Sequence, residues 1–205
     1  MKKYTIFLIA FLFVACSNDE ETLPVIAAKY SNLHAPQSGG QGQPISGPFT
    51  KFSFESGEVT EGNDWDIAFR GTTILVNGGT EVGLGEEPAR SGEAEAAVAE
   101  GTFSSVIGAD GLVFEQDGSN GTAIKAGSGN GWYVYNPQVM SITPIPGKIF
   151  VFKTNNGHYA KVEFLSYYKD GVIPPDPVQS LRAARYYTFN YVSVSYTHLT
   201  LPTKA

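Results

Sequence analysis

The side chains that can bind metals or form covalent bonds are scarce in this chain. Its 205 residues include one cysteine, two methionines and three histidines. Cys16 ends a short apolar run, Met140 follows Asn136-Pro137, and the histidines are His34, His158 and His198. Thiols, thioethers and imidazoles are the ligands that transition metals favour. A single cysteine excludes an internal disulfide, so Cys16 is either modified or a free thiol.

No motif of an enzyme active site accompanies these residues. The glycine-rich stretch at residues 127–131 is not followed by Lys-Ser or Lys-Thr and does not match a phosphate-binding loop. Residues 117–121 lack the ligand spacing of a calcium loop, so a turn is favoured there. The sequence also lacks the Gly-x-Ser-x-Gly and His-Glu-x-x-His patterns. We therefore expect a protein that is not an enzyme.

The first residues have the layout of a signal peptide. Two lysines precede an apolar run of 11 residues, Tyr4 to Val14, which is shorter than the roughly 20 residues that span a bilayer. Residues 13–16 resemble a lipobox, and we expect residues 1–15 to be removed and Cys16 to carry lipid. The alternative is an ordinary signal peptide with a bystander cysteine. Residues 17–21 resemble the acidic signal that sends lipoproteins of Bacteroidetes-type bacteria to the outer face of the outer membrane.

Composition indicates the fold class and excludes one class of partner. Aromatic residues make up 13% of the chain, and its 23 glycines and 12 prolines favour strands separated by turns. The length suits one domain. We expect a single antiparallel β-rich domain, sandwich-like and all-β, with long loops. A net charge of −6 without basic clusters argues against binding to nucleic acid.

Four segments are expected along the chain. After the signal peptide (residues 1–15), residues 16–48 form a lipidated flexible tether that includes His34, and residues 49–192 form the β domain. Residues 193–205 form a tail that is not native, because residues 194–203 can be read as a translated adapter of transposase-based sequencing libraries. The native sequence after about Val192 is then missing, and His198 is not a ligand. The alternative is a genuine strand.

Alternating apolar residues and turn signals predict the elements of the β domain. Asn156-Gly157 between two apolar strands predicts a hairpin. Trp65, Ile67 and Phe69 are expected on one face of their strand. A short helical turn is predicted near residues 93–99, and an extended connector at residues 174–177. The expected strands lie at residues 49–55, 65–70, 72–76, 132–135, 148–153, 159–167 and 186–192.

Four stretches in order resemble the haem-binding HmuY-like lipoproteins of Bacteroidetes. They lie at residues 64–79, 131–133, 147–168 and 185–192 and include Asp64-Trp65-Asp66-Ile67-Ala68-Phe69-Arg70-Gly71, Gly131-Trp132-Tyr133 and Arg185-Tyr186-Tyr187-Thr188-Phe189-Asn190-Tyr191-Val192. The resemblance covers about residues 49–192. It implies an all-β domain that binds haem and passes it to an outer-membrane receptor. It also implies paired axial His or Met ligands, one of them shortly after the strand at residues 132–135.

Met140 falls at the position where the resemblance implies an axial ligand. A thioether can ligate haem iron, although Met140 can equally fill an apolar gap. Tyr133 and Tyr135 are candidates to stack on the macrocycle, and His158 is a spare candidate for the iron. We therefore expect a surface lipoprotein that captures haem or a related porphyrin for uptake. A surface module for glycans or proteins and a purely structural envelope lipoprotein are the alternatives.

Overall fold

The protein, in a computed structural model that describes residues 26–40 and 42–194, is built around two antiparallel sheets. One has five strands in the order β1-β13-β12-β11-β8, and the other has four in the order β5-β4-β6-β7. Two hairpins, β2-β3 and β9-β10, and one helix, α1, complete the fold. The elements are β1 (Ile26–His34), β2 (Ser38–Gly40), β3 (Gln43–Ser46), β4 (Thr50–Ser53), β5 (Glu58–Val59), β6 (Ile67–Arg70), β7 (Thr73–Val76), β8 (Glu95–Glu100), β9 (Tyr133–Asn136), β10 (Ser141–Pro144), β11 (Lys148–Lys153), β12 (Tyr159–Tyr168), α1 (Pro177–Ala183) and β13 (Ala184–Val194).

The two sheets pack face to face around an aromatic core. Alternate residues of β11 divide between the faces of its sheet: Phe150 and Phe152 point into the core, and Ile149 and Val151 point outward. Each inner face contributes rings to the same cluster. The core includes Phe52, Phe54, Ile67, Phe69, Phe150, Phe152, Phe164, Tyr187 and Phe189. The expected all-β sandwich is therefore confirmed.

Long loops cover the outer faces of both sheets. Residues 103–114 pack on Ile149 and Val192 of the five-stranded sheet. The buried Lys161 holds this loop in place, because its ammonium donates to the carbonyls of Phe103 (2.6 Å) and Val106 (2.9 Å). On the other sheet, Val82 packs on a cluster that includes Trp65.

Buried charged residues hold the second of these loops, residues 82–90, against the four-stranded sheet. We call Arg70, Glu87, Arg90 and Asp117 the buried-charge network. The Arg70 guanidinium lies 4.2 Å from the Phe49 ring and donates to the carbonyl oxygens of Gly47, Leu84 and Gly85. Arg90 pairs with Glu87 at 2.7 Å and with Asp117 at 3.0 Å.

Strand direction defines two ends of the sandwich. At the His158 end, the β11-β12 turn lies beside the paired residues Tyr159 and Val194. At the Tyr168 end, β12 finishes beside the start of β13. The four-stranded sheet is aligned with this axis. Asp66 accepts from the Asn155 N–H at the His158 end, and the Gly71 N–H donates to Ala35 O at the Tyr168 end.

Local turn chemistry places the β11-β12 hairpin as the sequence predicts. The Gly157 N–H donates to Thr154 O at 2.9 Å, and the Thr154 N–H donates to His158 O at 2.8 Å. Gly157 has φ of 80°, in the left-handed region that glycine adopts without strain.

One prediction of local structure is wrong, and one helix was not predicted. Residues 95–100 form β8 and not a helical turn, because they pair with β11 from Glu95↔Lys153 to Glu100↔Lys148. The predicted connector at residues 174–177 stays outside helices and strands up to Asp176, whose backbone is extended, and α1 (Pro177–Ala183), which was not predicted from the sequence, begins at the last residue of that connector. The Asp176 carboxylate caps this helix by accepting from the Val178 and Gln179 N–H groups, and Pro177 occupies its first turn.

Two further expectations differ from the structure: the length of the tether and the face of the sheet on which Trp65 lies. Residues 26–34 of the predicted tether form β1, which pairs with β13 from Ile26↔Ser193 to His34↔Tyr186. Trp65 packs on the outer face with Ala68 and not with Ile67, because regular alternation begins only where β6 begins.

The two ends of the sequence are described only in part. Ser193 and Val194, the first residues of the predicted foreign tail, continue β13 and are buried. The rest of that tail, Cys16 and the predicted signal peptide lie outside the described residues. No helix in the described part of the chain is long and apolar enough to cross a membrane.

Candidate functional site

Met140 occupies the turn of the β9-β10 hairpin at the Tyr168 end. The side-chain oxygen of Asn136 accepts from the Gln138 N–H at 3.0 Å, which starts the turn. Met140 ends it with φ of 51°, in the left-handed region that disfavours side chains other than those of Gly, Asn and Asp. Its side chain is half-buried. The hairpin thus presents a thioether at a position where glycine would fit with less strain.

Trp132 fixes the base of this hairpin to the sandwich. Its ring is buried and its Nε1 donates to Thr72 O at 2.9 Å. The ring centroid lies 4.9 Å from those of both Tyr133 and Tyr187. The Ile145 N–H also donates to Trp132 O at 2.9 Å, which closes the hairpin at its base. The site therefore rests on a rigid aromatic support.

Tyrosines lie beneath the hairpin. The Tyr168 hydroxyl accepts from the Ile142 N–H at 2.8 Å and so joins the end of β12 to β10. Burial raises the pKa of Tyr168 above its ordinary value, and the neighbouring Tyr135 adds to this effect. Burial also raises the pKa of Tyr167 and Tyr187. These buried phenols are therefore neutral at physiological pH, and the Tyr187 hydroxyl donates to Gly71 O at 2.9 Å inside the core.

The segment after β12 is pinned to the sheet at its start. The Asn32 side-chain amide donates to the Asp170 carboxylate at 2.9 Å, and the Asp170 N–H donates back to the Asn32 side-chain oxygen at 2.7 Å. Further along, the Ser180 hydroxyl donates to Pro174 O at 2.9 Å. The helix α1 then lies against both β10 and β13. The hairpin and this segment are thus neighbours at the Tyr168 end.

Large apolar side chains are exposed on both of these elements. Val172, in the segment after β12, is 63% exposed. Lys169 and Arg182 on the same segment are also exposed. Asp170 and Asp176 are exposed on this segment as well, so its charges balance. Clustered exposed apolar residues mark binding sites. The exposed apolar residues here are Val134, Tyr135, Val139, Val172, Ile173, Val178 and Leu181, which we call the apolar surface.

The structure places Met140, Tyr133 and Tyr135 on one hairpin and separates His158 from them. Tyr133 and Tyr135 lie on β9, and Met140 lies in the turn that follows it. His158 lies in the β11-β12 turn, at the other end of β12. Since a ten-residue strand measures about 30 Å, Met140 and His158 cannot share one iron atom.

His34 does not lie in a linker, as the sequence led us to expect. It closes β1 at the Tyr168 end and stacks on Tyr186, with ring centroids 4.5 Å apart. The described residues hold no group of three or more His, Cys, Asp or Glu side chains arranged to hold a metal ion.

Sequence reasoning missed Tyr168 and the segment at residues 172–181 as parts of the site. The segment carries a signal that could have been used: Val172-Ile173 continues an apolar pattern beyond a turn, and Asp176-Pro177 is a typical helix start. Tyr168 has no such signal, because its partner Ile142 is 26 residues away.

A second concave region lies beside the loop at residues 120–130. This cavity, of about 650 Å³, is lined by amide side chains, a lysine and glycine backbone. Lys125 pairs there with Glu115 at 2.6 Å. The lining residues are Asn120, Gly121, Thr122, Lys125, Ala126, Gly129 and Asn130.

A small acidic cavity of about 90 Å³ lies at the His158 end. It is lined by residues that include Asp66, Glu55 and Asp64. The Asp66 carboxylate accepts from the Phe54 and Asn155 N–H groups, both at 2.7 Å. Burial is the main cause that raises the pKa of Asp66, to about 6.

Comparisons with known proteins identify relatives of the chain. The family model described as HmuY protein matches residues 48–176, more than half of the sequence. No curated protein matches the chain.

Three of the solved structures that match the chain come from Tannerella forsythia, Bacteroides vulgatus and Bacteroides fragilis. The apo HmuY analogue of Tannerella forsythia is 16% identical, with a TM-score of 0.46 over 85% of this chain and 99% of its own. A Bacteroides vulgatus protein described as HmuY-like and haem-binding is 16% identical, with a TM-score of 0.43 over 82% and 90%. A Bacteroides fragilis protein described as a lipoprotein is 13% identical, with a TM-score of 0.48 over 90% and 94%.

Proposed function

Because the chain belongs to the HmuY family, we propose that it binds haem or a related porphyrin at the Tyr168 end, without turning it over. The observation that carries this proposal is the strained turn at Met140. A non-glycine residue with φ of 51° costs free energy. A side chain that ligates iron gives a reason to keep methionine where glycine would be less strained.

The residues around Met140 fit the chemistry of a porphyrin. Haem supplies an iron centre with two axial positions, and a Met sulfur can take one of them. Tyr133 and Tyr135 offer ring faces for stacking. The apolar surface would cover the hydrocarbon edges of the macrocycle, and Lys169 and Arg182 would pair with its carboxylates.

Surface display for haem uptake completes the proposed role. Cys16 carries the lipid that holds the protein in the outer membrane, and the acidic residues after it direct the protein to the cell surface. Haem captured there would pass to an outer-membrane receptor. Replacing Cys16 with Ala should move the protein from the membrane fraction to the soluble fraction, and a variant that stays in the membrane would refute the anchor.

The haem proposal is tested by titrating haemin into the unlipidated chain, from residue 17 to its last residue, and following the Soret band. We expect Met140→Ala to weaken binding at least tenfold and to change the band. The effect should be larger under reducing conditions, since a neutral sulfur suits ferrous iron. His158→Ala is the matched control, because His158 lies at the other end of the sandwich.

Met140→Ala is expected to weaken haemin binding, whereas His158→Ala is expected to leave it unchanged. An unchanged spectrum in Met140→Ala would show that Met140 only packs. A spectrum changed by His158→Ala alone would move the site to the β11-β12 turn. Protein that gives no Soret shift at any haemin concentration would reject haem as the ligand.

The cavity of about 650 Å³ supports a second candidate, a glycan-binding module. Amide groups such as those of Asn120 and Asn130 form hydrogen bonds with sugar hydroxyls in both directions. The lining residues include no aromatic platform, which makes this candidate weaker than haem. Calorimetric titration with neutral oligosaccharides, repeated on Asn130→Ala, tests it, and absence of binding heat in the unsubstituted protein would reject it.

A further inference from the structure

We propose that the lipid anchor orients the domain, with the His158 end toward the membrane and the Tyr168 end pointing away from it. This inference rests on the anchoring of Cys16 that the proposed function includes, and it does not depend on haem. It follows from where the first strand begins and in which direction it runs.

The connection between the anchor and the sandwich is short. Cys16 and Ile26, the first residue of β1, are ten residues apart. Ten residues span at most about 36 Å when fully extended. A flexible chain of that length has a typical end-to-end distance of about 17 Å.

The direction of β1 decides which end of the sandwich lies near the anchor. Ile26 pairs with Ser193 at the His158 end, and His34 pairs with Tyr186 at the Tyr168 end. These nine residues cover about 27 Å. With the Tyr168 end on the membrane, Ile26 would be held about 27 Å above it. That height is about three quarters of the fully extended length of the tether and exceeds its typical end-to-end distance of about 17 Å, so this orientation stretches the tether. The opposite orientation does not require any stretching.

The side chains at the two ends of the sandwich favour the orientation opposite to the one that the tether length favours. The Tyr168 end combines apolar side chains with Lys169 and Arg182, a composition that would also suit a membrane surface. The His158 end is acidic: Glu55 accepts from the side chain of Asn156, and Asp64 and Asp66 lie beside it. Side-chain chemistry alone would place the apolar end on the bilayer. The tether geometry places it outward, accessible to a ligand and to a protein partner that approaches from outside.

The orientation can be measured with one fluorescent label at each end. Ser56→Cys lies beside Glu55 at the His158 end, and Gln179→Cys lies on α1. Both positions are exposed. Cys16 is the only cysteine of the sequence, and lipidation consumes its thiol, so each variant carries one reactive group. The full lipidated chain is reconstituted into phosphatidylcholine vesicles that contain an acceptor dye in their headgroups.

We expect energy transfer to be at least twofold more efficient from position 56 than from position 179. Equal transfer, or stronger transfer from position 179, would overturn the proposal. Inserting ten Gly/Ser residues after Glu21 should reduce the difference, because a longer tether no longer restricts the domain. A difference that survives this insertion unchanged would also overturn it, since direct contact with the bilayer would then set the orientation.

The orientation and the haem proposal are tested separately. Cys16→Ala, labelled at position 56, should lose energy transfer to the vesicles and keep its Soret titration. Retention of energy transfer in this variant would refute the anchor, and the orientation with it. If the lipidated protein keeps its energy transfer but haemin produces no Soret change, only the haem proposal is refuted.

Discussion

The protein buries charged side chains at one place and exposes apolar side chains at another. In the buried-charge network, Asp117 accepts from the Val76 and Ala123 N–H groups and from Arg90. At the Tyr168 end, the apolar surface leaves Val172 and Val178 more than half exposed. Buried charge persists only where it is paired and hydrogen-bonded, whereas exposed apolar area contributes little to folding.

This difference separates residues that we expect to act on stability from residues that we expect to act on binding. The network ties residues 82–90 to both Asp117 and β6, so its loss should act on stability. The apolar surface is held in place by hydrogen bonds that do not use its own side chains, such as Asn32 with Asp170. Its loss should therefore act on binding and leave stability unchanged.

The largest effect is expected from Asp117→Ala. This substitution leaves two buried backbone N–H groups and the Nη2 group of Arg90 without their acceptor, while Arg90 keeps its pair with Glu87. We expect the free energy of unfolding to fall by about 2–4 kcal/mol, because each unsatisfied buried donor costs about 1–3 kcal/mol; urea denaturation measures this. Asp110→Ala, at an exposed position, is the control. A loss below about 1 kcal/mol would show that the network does not hold the loop.

Asp66 should make stability depend on pH. Its pKa is raised from 3.8 to about 6 in the folded protein, so the folded state favours the protonated carboxyl. The stability it adds is fully present below about pH 4 and is lost as pH rises through 6, by at most about 3 kcal/mol. Urea unfolding from pH 4 to 7 should show a flatter profile for Asp66→Asn than for Asp64→Asn. Equal profiles would contradict this assignment.

Substitutions on the apolar surface should weaken ligand binding without unfolding the protein. For Ile173→Ser and Val178→Ser we expect stability to change by less than about 0.5 kcal/mol. The affinity for haemin should fall by up to about tenfold, or 1.4 kcal/mol, since each loses apolar area that the ligand would cover. Ile107→Ser, at an exposed position outside this surface, is the matched control. Equal affinities in all three variants would remove the apolar surface from the site.

The smallest effect, and opposite in sign, is expected from Met140→Gly. Glycine adopts φ of 51° without strain, and its greater freedom in the unfolded chain offsets part of the gain. We expect a net gain of about 0.5 kcal/mol, which a thermal melt would show as about 1–2 °C. Met140→Ala should not show this gain. A destabilised Met140→Gly would mean that the Met140 side chain contributes to folding.

Local patterns predicted many elements of the fold. Asn156-Gly157 and the alternation around it are enough to specify the β11-β12 hairpin, because its partners are neighbours in sequence. The same approach failed at β8, whose alanine-rich sequence forms a strand only because β11 lies beside it. It also failed at β1, which pairs with residues about 160 positions further along the chain.

Some residues of the candidate site can likewise be identified from the sequence, and others only from the tertiary structure. The sequence by itself determined that Met140 follows a strand containing Tyr133 and Tyr135, because these residues lie within one hairpin. Only the tertiary structure decided that Tyr168 and residues 172–181 join them, and that His158 lies at the opposite end. Short-range spacing is set by backbone geometry and can be read from residue order. Which distant segments meet depends on how two sheets bury their aromatic faces against each other, and that is decided by the packing of the whole core.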